Sequence, residues 1–234
     1  LAQVDSAIGG KTGINLDWGK NLVGAFHQPR LVLSDINFLA TLPRRDLCSS
    51  LGEVIKYAVI RDPAFFSFLE TNMRKAVQGN LRVLEHIVWH SARIKKEVVE
   101  RDEREETGLR AILNYGHTFA HAIEAASGNW SVSMPHGEAV AAGMLAAGEL
   151  AVRRGIFRPE DQARQERLIA KAGLPLSLNP RFRVRDILEG MKRDKKRKRG
   201  VIRFVLPRRI GRVMLADGIP MSEVKNVLAS MGSR

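Results

Sequence analysis

Apolar residues recur at helical spacing from residue 42 onward, and this spacing continues close to the C-terminus. Pro43 is suited to a first helical turn, and Asp62 followed by Pro63 predicts the start of another helix. The spacing predicts helices over 42–60, 62–73, 81–98, 159–172 and 184–191, others around the histidines of 110–150, and a last one from about residue 222. The chain is therefore expected to be mainly α.

Two segments read as strands instead. Leu31–Asp35 predicts a short buried strand, so the residues from Asn37 to Thr41 would lie just beyond its carboxyl end, where cofactors bind in open α/β sheets. The segments 201–206 and 212–215, joined across Pro207 and Gly211, predict a small β-hairpin.

A glycine-rich stretch near the N-terminus, Gly9-Gly10-Lys11-Thr12, invites a phosphate-loop interpretation, because glycines let backbone amides approach an anion. It fails the P-loop pattern, which needs glycine where Asp5 stands. The stretch could be a simple turn. The alternative is a polar set around an anionic ligand, made of Asp5, Lys11, Lys20 and Asn21.

Composition narrows the class of protein. The net charge of +13 is local, because residues 181–212 hold fourteen Lys or Arg against three acidic residues. The run Lys192–Arg199 could contact nucleic acid, but no aromatic residues interleave it, so nucleic acid is not the expected partner. The longest apolar run, Ala139–Val152, is too short for a membrane span. With a single cysteine and no signal-like N-terminus, we expect a cytoplasmic protein without membrane contact.

Three of the six histidines lie between residues 117 and 136. His117 and His121 are four residues apart, so on a helix both project from one face and could share a metal ion. His136 opens the next apolar segment and could supply a third ligand. Any one of them could instead be a hydrogen-bonded core histidine. Glu53 and Lys56, one turn apart in an apolar helix, read either as an ordinary ion pair or as a carboxylate held near a cation.

Ordered motifs along nearly the whole chain resemble the C-terminal part of 3-dehydroquinate synthases. The motifs are Asp5–Asn15, Gly19–Pro29, Gly52–Tyr57, Leu109–Arg110 with Asn114–His121, His136–Val140 and Asp194–Lys196. The family's glycine-rich NAD-binding segment would precede Leu1. We therefore expect a fragment that binds a divalent metal but does not turn over substrate alone.

The resemblance assigns roles position by position. Glu53, His117 and His136 match the ligands of a divalent metal, zinc or cobalt, which leaves His121 in a non-ligand position. Lys11, Lys20 and the segment Phe38, Leu39, Ala40, Thr41 match positions that line an NAD site. The positions expected to act on or bind substrate are Asp5, Asn21, Lys56, Lys96, Arg110, Asn114, His121 and Lys195.

The resemblance also implies the architecture. We expect a multihelical metal-binding domain of the dehydroquinate synthase-like fold over 42–234, preceded by a remnant of an α/β NAD-binding domain over 1–41, and a homodimer in the full-length protein. The implied reaction eliminates phosphate from 3-deoxy-D-arabino-heptulosonate 7-phosphate to give 3-dehydroquinate. The alternatives are another sugar-phosphate cyclase of the same superfamily or a basic nucleic-acid-binding module.

Overall fold

A computed structural model describes residues 2–16, 19–127, 134–179, 182–197 and 202–232; side chains at 15, 19–22 and 193–197 lie outside the description. The described residues are mainly helical, as expected. The helices are α1 (Arg44–Arg61), α2 (Pro63–Val77), α3 (Leu81–Arg101), α4 (His117–Ser127), α5 (His136–Arg153), α6 (Pro159–Lys171), α7 (Val184–Arg197) and α8 (Met221–Gly232). Short helical turns cover Ala2–Ser6, Ile36–Thr41 and Leu109–Asn114.

Helix α5 lies at the centre of the molecule. Every residue from 139 to 148 is buried, and α1, α4, α6, α8 and the C-terminal hairpin all pack around it. Its sequence is dominated by alanine and glycine, so neighbouring helices can approach closely on several sides. A helix is predicted around these histidines and is confirmed, and its N-terminus places His136 at a junction of three helices.

Local sequence signals explain where several helices begin. Asp62 caps α2 by accepting a hydrogen bond from the backbone amide of Phe65 at 2.9 Å, with Pro63 in the first turn. Asn80 caps α3 in the same way through the amide of Val83 at 3.2 Å. Each cap satisfies a backbone donor that the helix itself leaves unpaired.

Two antiparallel hairpins account for the sheets of the described residues. The N-terminal one pairs β1 (Ile14–Leu16) with β2 (Gly19–Val23), and the C-terminal one pairs β3 (Phe204–Arg209) with β4 (Arg212–Ala216). The turn of the C-terminal hairpin packs on α1, where the amide of Gly211 donates to the carbonyl of Val59 at 2.8 Å. This hairpin was predicted, and it covers one side of α5.

The buried strand expected at 31–35 is wrong. This segment takes part in no strand pairing among the described residues, and Leu31 and Leu33 are 80% and 87% exposed. A strand requires a partner strand that hydrogen-bonds to its backbone, and the described sheets do not provide one here. The following turn, Ile36–Thr41, is instead started by Asp35, whose side chain accepts from the amide of Asn37 at 2.9 Å.

The residues before His117 do not form one continuous helix with α4. Arg110 and Asn114 belong to the short turn Leu109–Asn114, and Gly116, with φ of +79°, separates that turn from α4.

Among the described residues, no helix combines the length and apolar character needed to cross a membrane.

Candidate metal centre and its surroundings

Three side chains from three helices converge at the N-terminus of α5. Glu53 lies in the middle of α1, His117 opens α4 and His136 opens α5. The Nε2 atoms of His117 and His136 each lie 3.3 Å from Oε1 of Glu53. One ligand atom from each residue falls within 4.8 Å of the others. This spacing and donor set suit a divalent ion bound by nitrogen and oxygen.

Two glycines allow α1 and α5 to meet at this point. Gly52 precedes Glu53, and Gly137 follows His136. A Cβ added to Gly137 would lie 1.7 Å from the carbonyl oxygen of Ser49, and one added to Gly52 would lie 2.4 Å from the carbonyl oxygen of Gly137. Contact of the two backbones therefore sets the distance between the carboxylate and the imidazole.

A second pair of glycines joins α4 to α5. A Cβ added to Gly143 would lie 2.1 Å from the carbonyl oxygen of Gly116, immediately before His117. The positive φ of Gly116 turns the chain into α4 at the same place. Close packing of α4 on α5 therefore fixes the start of α4, and with it the position of His117.

Each histidine is oriented through its Nδ1 atom. The Nδ1 of His117 lies 3.2 Å from the carbonyl oxygen of Tyr115, and the Nδ1 of His136 lies 2.7 Å from Oε1 of Glu124. The Tyr115 hydroxyl donates to Gln165 at 2.8 Å inside the core. The Nε2 atoms are left facing Glu53.

Burial and charge set the ionisation of the three residues. Burial alone would raise the pKa of Glu53, but the Lys56 ammonium and His117 hold it well below its usual range. Burial lowers the pKa of His117 to about 4. The hydrogen bond to Glu124, aided by Glu53, raises the pKa of His136 to about 9. The centre thus holds an ionised carboxylate beside two imidazoles with different proton affinities.

The carboxylate of Glu53 tests whether a metal fits. Its side chain is fully buried, and its Oε2 already contacts the ammonium of Lys56, which is itself 2% exposed. Oε1 instead faces the Nε2 atoms of His117 and His136 and accepts no hydrogen bond of good geometry. A buried carboxylate oxygen of this kind needs a donor or a cation beside it. A divalent ion between Glu53, His117 and His136 would supply that partner to Oε1, so the residues fit the group.

A second polar cluster adjoins the first. The Tyr57 hydroxyl donates to the carboxylate of Asp5, and Nζ of Lys95 lies 2.9 Å from the same carboxylate. Burial would raise the pKa of Asp5, but Lys56 and Lys95 lower it overall. Burial raises the pKa of Tyr57 well above its usual value, so its proton stays in place. These contacts join the N-terminal turn to α1 and α3.

Arg110 is almost fully buried beside that turn. Its guanidinium donates to the carbonyl oxygens of Gly9 at 3.2 Å and Glu103 at 2.8 Å, and lies 3.4 Å from Glu105. The ammonium of Lys11 also contacts the Glu105 carboxylate. Two of the predicted anion-binding cations are therefore held by one carboxylate, and the Nε of Arg110 has no hydrogen-bond partner.

Adjacent lysines on α3 face different ways. Lys96 is exposed and pairs with Glu100 at 3.3 Å, so the structure does not bring it to the cluster. Lys95, which the sequence interpretation passed over, is buried and faces Asp5. Its spacing from Val88, Ser91 and Val98 places it on the apolar side of α3, a signal that the sequence did contain.

The other predicted site residues differ in burial and contacts. The His121 ring packs edge-on against His117 with centroids 5.5 Å apart, and Asn114 is exposed. Phe38, Ala40 and Thr41 are exposed, whereas Leu39 is half-buried against the core. The side chains of Lys20, Asn21 and Lys195, and most of the basic run, lie outside the described residues.

Two family models together match most of this chain. One described as 3-dehydroquinate synthase N-terminal matches residues 1–49, and one described as 3-dehydroquinate synthase C-terminal matches residues 50–197. The two meet inside α1. Curated 3-dehydroquinate synthases from Nostoc punctiforme and Prochlorococcus marinus are 49% and 46% identical over 99% of this chain. The chain spans only 63% and 62% of the length of these relatives.

Solved structures of related cyclases share the fold. A 2-epi-5-epi-valiolone synthase from Streptomyces hygroscopicus subsp. jinggangensis, with NAD+ and Zn2+ bound, matches with a TM-score of 0.89 at 27% identity, over 99% of this chain and 64% of its own. A 2-deoxy-scyllo-inosose synthase complexed with carbaglucose-6-phosphate, NAD+ and Co2+ matches with a TM-score of 0.84 at 28% identity, over 98% of this chain and 64% of its own. The resemblance inferred from the motifs is thereby confirmed, and the chain belongs to the 3-dehydroquinate synthase family.

Proposed function

We propose that this chain forms the metal- and substrate-binding part of an enzyme that converts 3-deoxy-D-arabino-heptulosonate 7-phosphate to 3-dehydroquinate and phosphate. This is the second step of the shikimate pathway, a carbon–oxygen lyase reaction. The observation that carries the proposal is the convergence of Glu53, His117 and His136 on one point. Family membership supplies the reaction class.

The cofactors follow from the donor set and the relatives. Glu53, His117 and His136 would hold zinc or cobalt, and Lys11, Lys20 and the segment 38–41 would line part of an NAD site. The metal supplies a Lewis acid that lowers the pKa of a substrate hydroxyl, and NAD supplies a hydride acceptor that is regenerated within the cycle.

The chain's own residues bind and orient the substrate. Arg110 and Asn114 would hold the carboxylate, with the guanidinium already fixed by Gly9 and Glu103. Lys56 and Lys95 place two ammonium groups on the same side as Asp5, where they would neutralise substrate charge. His121 stands beside His117 and would orient groups or move a proton near the phosphate, with Lys195 as a phosphate contact.

Several wider features belong to the same proposal. Residues 1–41 would be part of an α/β NAD-binding domain and 42–234 the helical domain, with the whole protein a cytoplasmic homodimer. Size measurement by light scattering tests the dimer. By itself, the chain is expected to bind metal without appreciable turnover, because hydride transfer needs NAD fixed at near-attack distance.

The test uses a chimera, because this chain by itself is not expected to turn over substrate. The N-terminal third of the Nostoc punctiforme relative is joined to the chain, and phosphate release is followed with NAD, Co2+ and the heptulosonate phosphate. Release is expected, with loss of at least about a hundredfold in E53Q and no change in E223Q, which alters a surface pair with Arg154.

The main alternative is a cyclase acting on a sugar phosphate without a carboxylate. Arg110 argues against this alternative, because its buried guanidinium is suited to binding a carboxylate. The chimera is therefore also given glucose 6-phosphate. Phosphate release from that substrate, and none from the heptulosonate, would overturn the proposal.

A further inference from the structure

The two histidines of the candidate metal centre differ in what holds them. His117 is oriented by a backbone carbonyl, that of Tyr115, at 3.2 Å. His136 is oriented by a side-chain carboxylate, that of Glu124, at the shorter distance of 2.7 Å. Only the second partner carries a charge, and only the second can be removed by a substitution. The contribution of Glu124 to the site can therefore be tested by substituting it alone.

We propose that Glu124 is a positioning residue that fixes the imidazole of His136 as a metal ligand. This inference rests on the metal centre proposed above. With Nδ1 held by Glu124, the opposite ring atom, Nε2, faces Glu53 Oε1 at 3.3 Å. A carboxylate in this position also makes the imidazole a stronger electron donor to a bound ion.

Packing of the two helices places the carboxylate. Glu124 lies in the last turns of α4, twelve residues before His136, and its side chain is only 14% exposed. The two helices pack against each other, with Gly116 in close contact with Gly143, so the packing of α4 on α5 holds the carboxylate beside His136.

The ring of His136 needs this support more than that of His117 does. The His136 side chain is 34% exposed, whereas that of His117 is 13% exposed. Surrounding atoms therefore restrain His117 on most sides, while His136 has an open side on which its ring could turn. The hydrogen bond to Glu124 restricts that rotation and keeps Nε2 directed at the centre.

The test is a Co2+ titration of the chain, followed by the visible absorption of the bound ion. E124A removes the acceptor, and E124Q keeps an acceptor oxygen but loses the charge. E149A serves as the matched control. Glu149 also lies on α5, and its carboxylate pairs with Arg153 at 2.8 Å rather than with any of the three ligands. Circular dichroism confirms that each variant is folded.

The expected result is a dissociation constant raised about 10- to 100-fold in E124A, a smaller rise in E124Q and no change in E149A. An E124A affinity within about threefold of wild type, or an E124Q affinity no better than that of E124A, would overturn the role of Glu124. Failure of the wild-type chain to bind Co2+ would overturn the metal centre itself, and this inference with it.

A second measurement needs no variant. A long-range 1H–15N spectrum of the wild-type chain in the presence of a chelator reports the Nδ1 proton of His136 directly. Donation to Glu124 predicts a downfield, slowly exchanging resonance. An Nδ1 without such a proton would contradict the proposed positioning even if E124A failed to fold.

Discussion

Gly52 and Gly137 touch backbone to backbone, so closely that a Cβ on Gly52 would lie 2.4 Å from the carbonyl oxygen of Gly137. Each glycine is adjacent in sequence to a residue of the candidate metal centre, Glu53 in one case and His136 in the other. The distance between carboxylate and imidazole is therefore determined by the absence of two side chains. A small substitution at either glycine should separate the two residues.

The first prediction concerns G137A. The added methyl would meet the Ser49 carbonyl at 1.7 Å, which forces α1 and α5 apart. We expect a loss of about 1–3 kcal/mol in the free energy of unfolding and a weaker affinity for Co2+. Urea unfolding measures the first and absorption titration the second. In the control G232A, the new methyl meets no atom within 4 Å, so stability unchanged in both variants would show that the helices are not in contact.

The second prediction separates two adjacent lysines. Lys95 is paired with Asp5 at 2.9 Å and largely buried, whereas Lys96 is exposed. K95M should lower the free energy of unfolding by about 1–3 kcal/mol, because it leaves the half-buried carboxylate of Asp5 with one partner fewer. K96M should change it by less than about 0.5 kcal/mol. Equal effects in thermal or urea unfolding would mean that α3 is rotated from the orientation described.

The third prediction is a pH dependence of stability. The pKa of His136 is raised from 6.5 to about 9, so the folded chain holds this proton more tightly than the unfolded chain. The resulting stability is fully present below about pH 6.5 and is lost as the pH rises through 9. Below pH 6.5, His117, with its pKa lowered to about 4, acts in the opposite direction, since the unfolded chain then binds its proton first.

The measurement is the free energy of unfolding at pH 6.5 and 9.5, with a chelator present so that no ion competes for the imidazole. We expect a fall of about 1–2 kcal/mol in wild type, an amount already reduced for the exposure of His136. H136N should remove this component, and other titrating groups cancel in the comparison. An identical fall in both proteins would refute the assignment.

Sequence spacing predicted the helices well because each is specified locally. Asp62 and Pro63 mark the start of α2 within four residues of chain, and the apolar stripe of α3 repeats over five turns. The strand expected at 31–35 failed for the opposite reason. Its pairing depends on a distant segment, and apolar residues alone cannot indicate whether one lies alongside.

The site was only partly visible in the sequence. Spacing nominated His117, His121 and His136, and the resemblance was needed to add Glu53 and set His121 aside. Glu124 carried no local signal, since its contact with His136 exists only after α4 and α5 pack. The same holds for the glycines, whose role depends on the backbone atoms of another helix.

The last prediction distinguishes the two histidines that spacing alone left equivalent. A bound ion stabilises the folded chain by an amount that grows with the logarithm of the ratio of free ion to dissociation constant, so Zn2+ at a hundred times its dissociation constant should add about 2.7 kcal/mol. For a chain of this length that corresponds to a rise of about 5–10 °C in Tm. H117N should abolish the rise, because the Nε2 atom 3.3 Å from Glu53 is lost. H121N is the matched control, one turn later on the same helix and outside the group of three ligands. Comparing each protein with and without Zn2+ by thermal denaturation cancels any change in basal stability. Retention of the rise in H117N, or its loss in H121N, would show that the ion is held by a different pair of imidazoles.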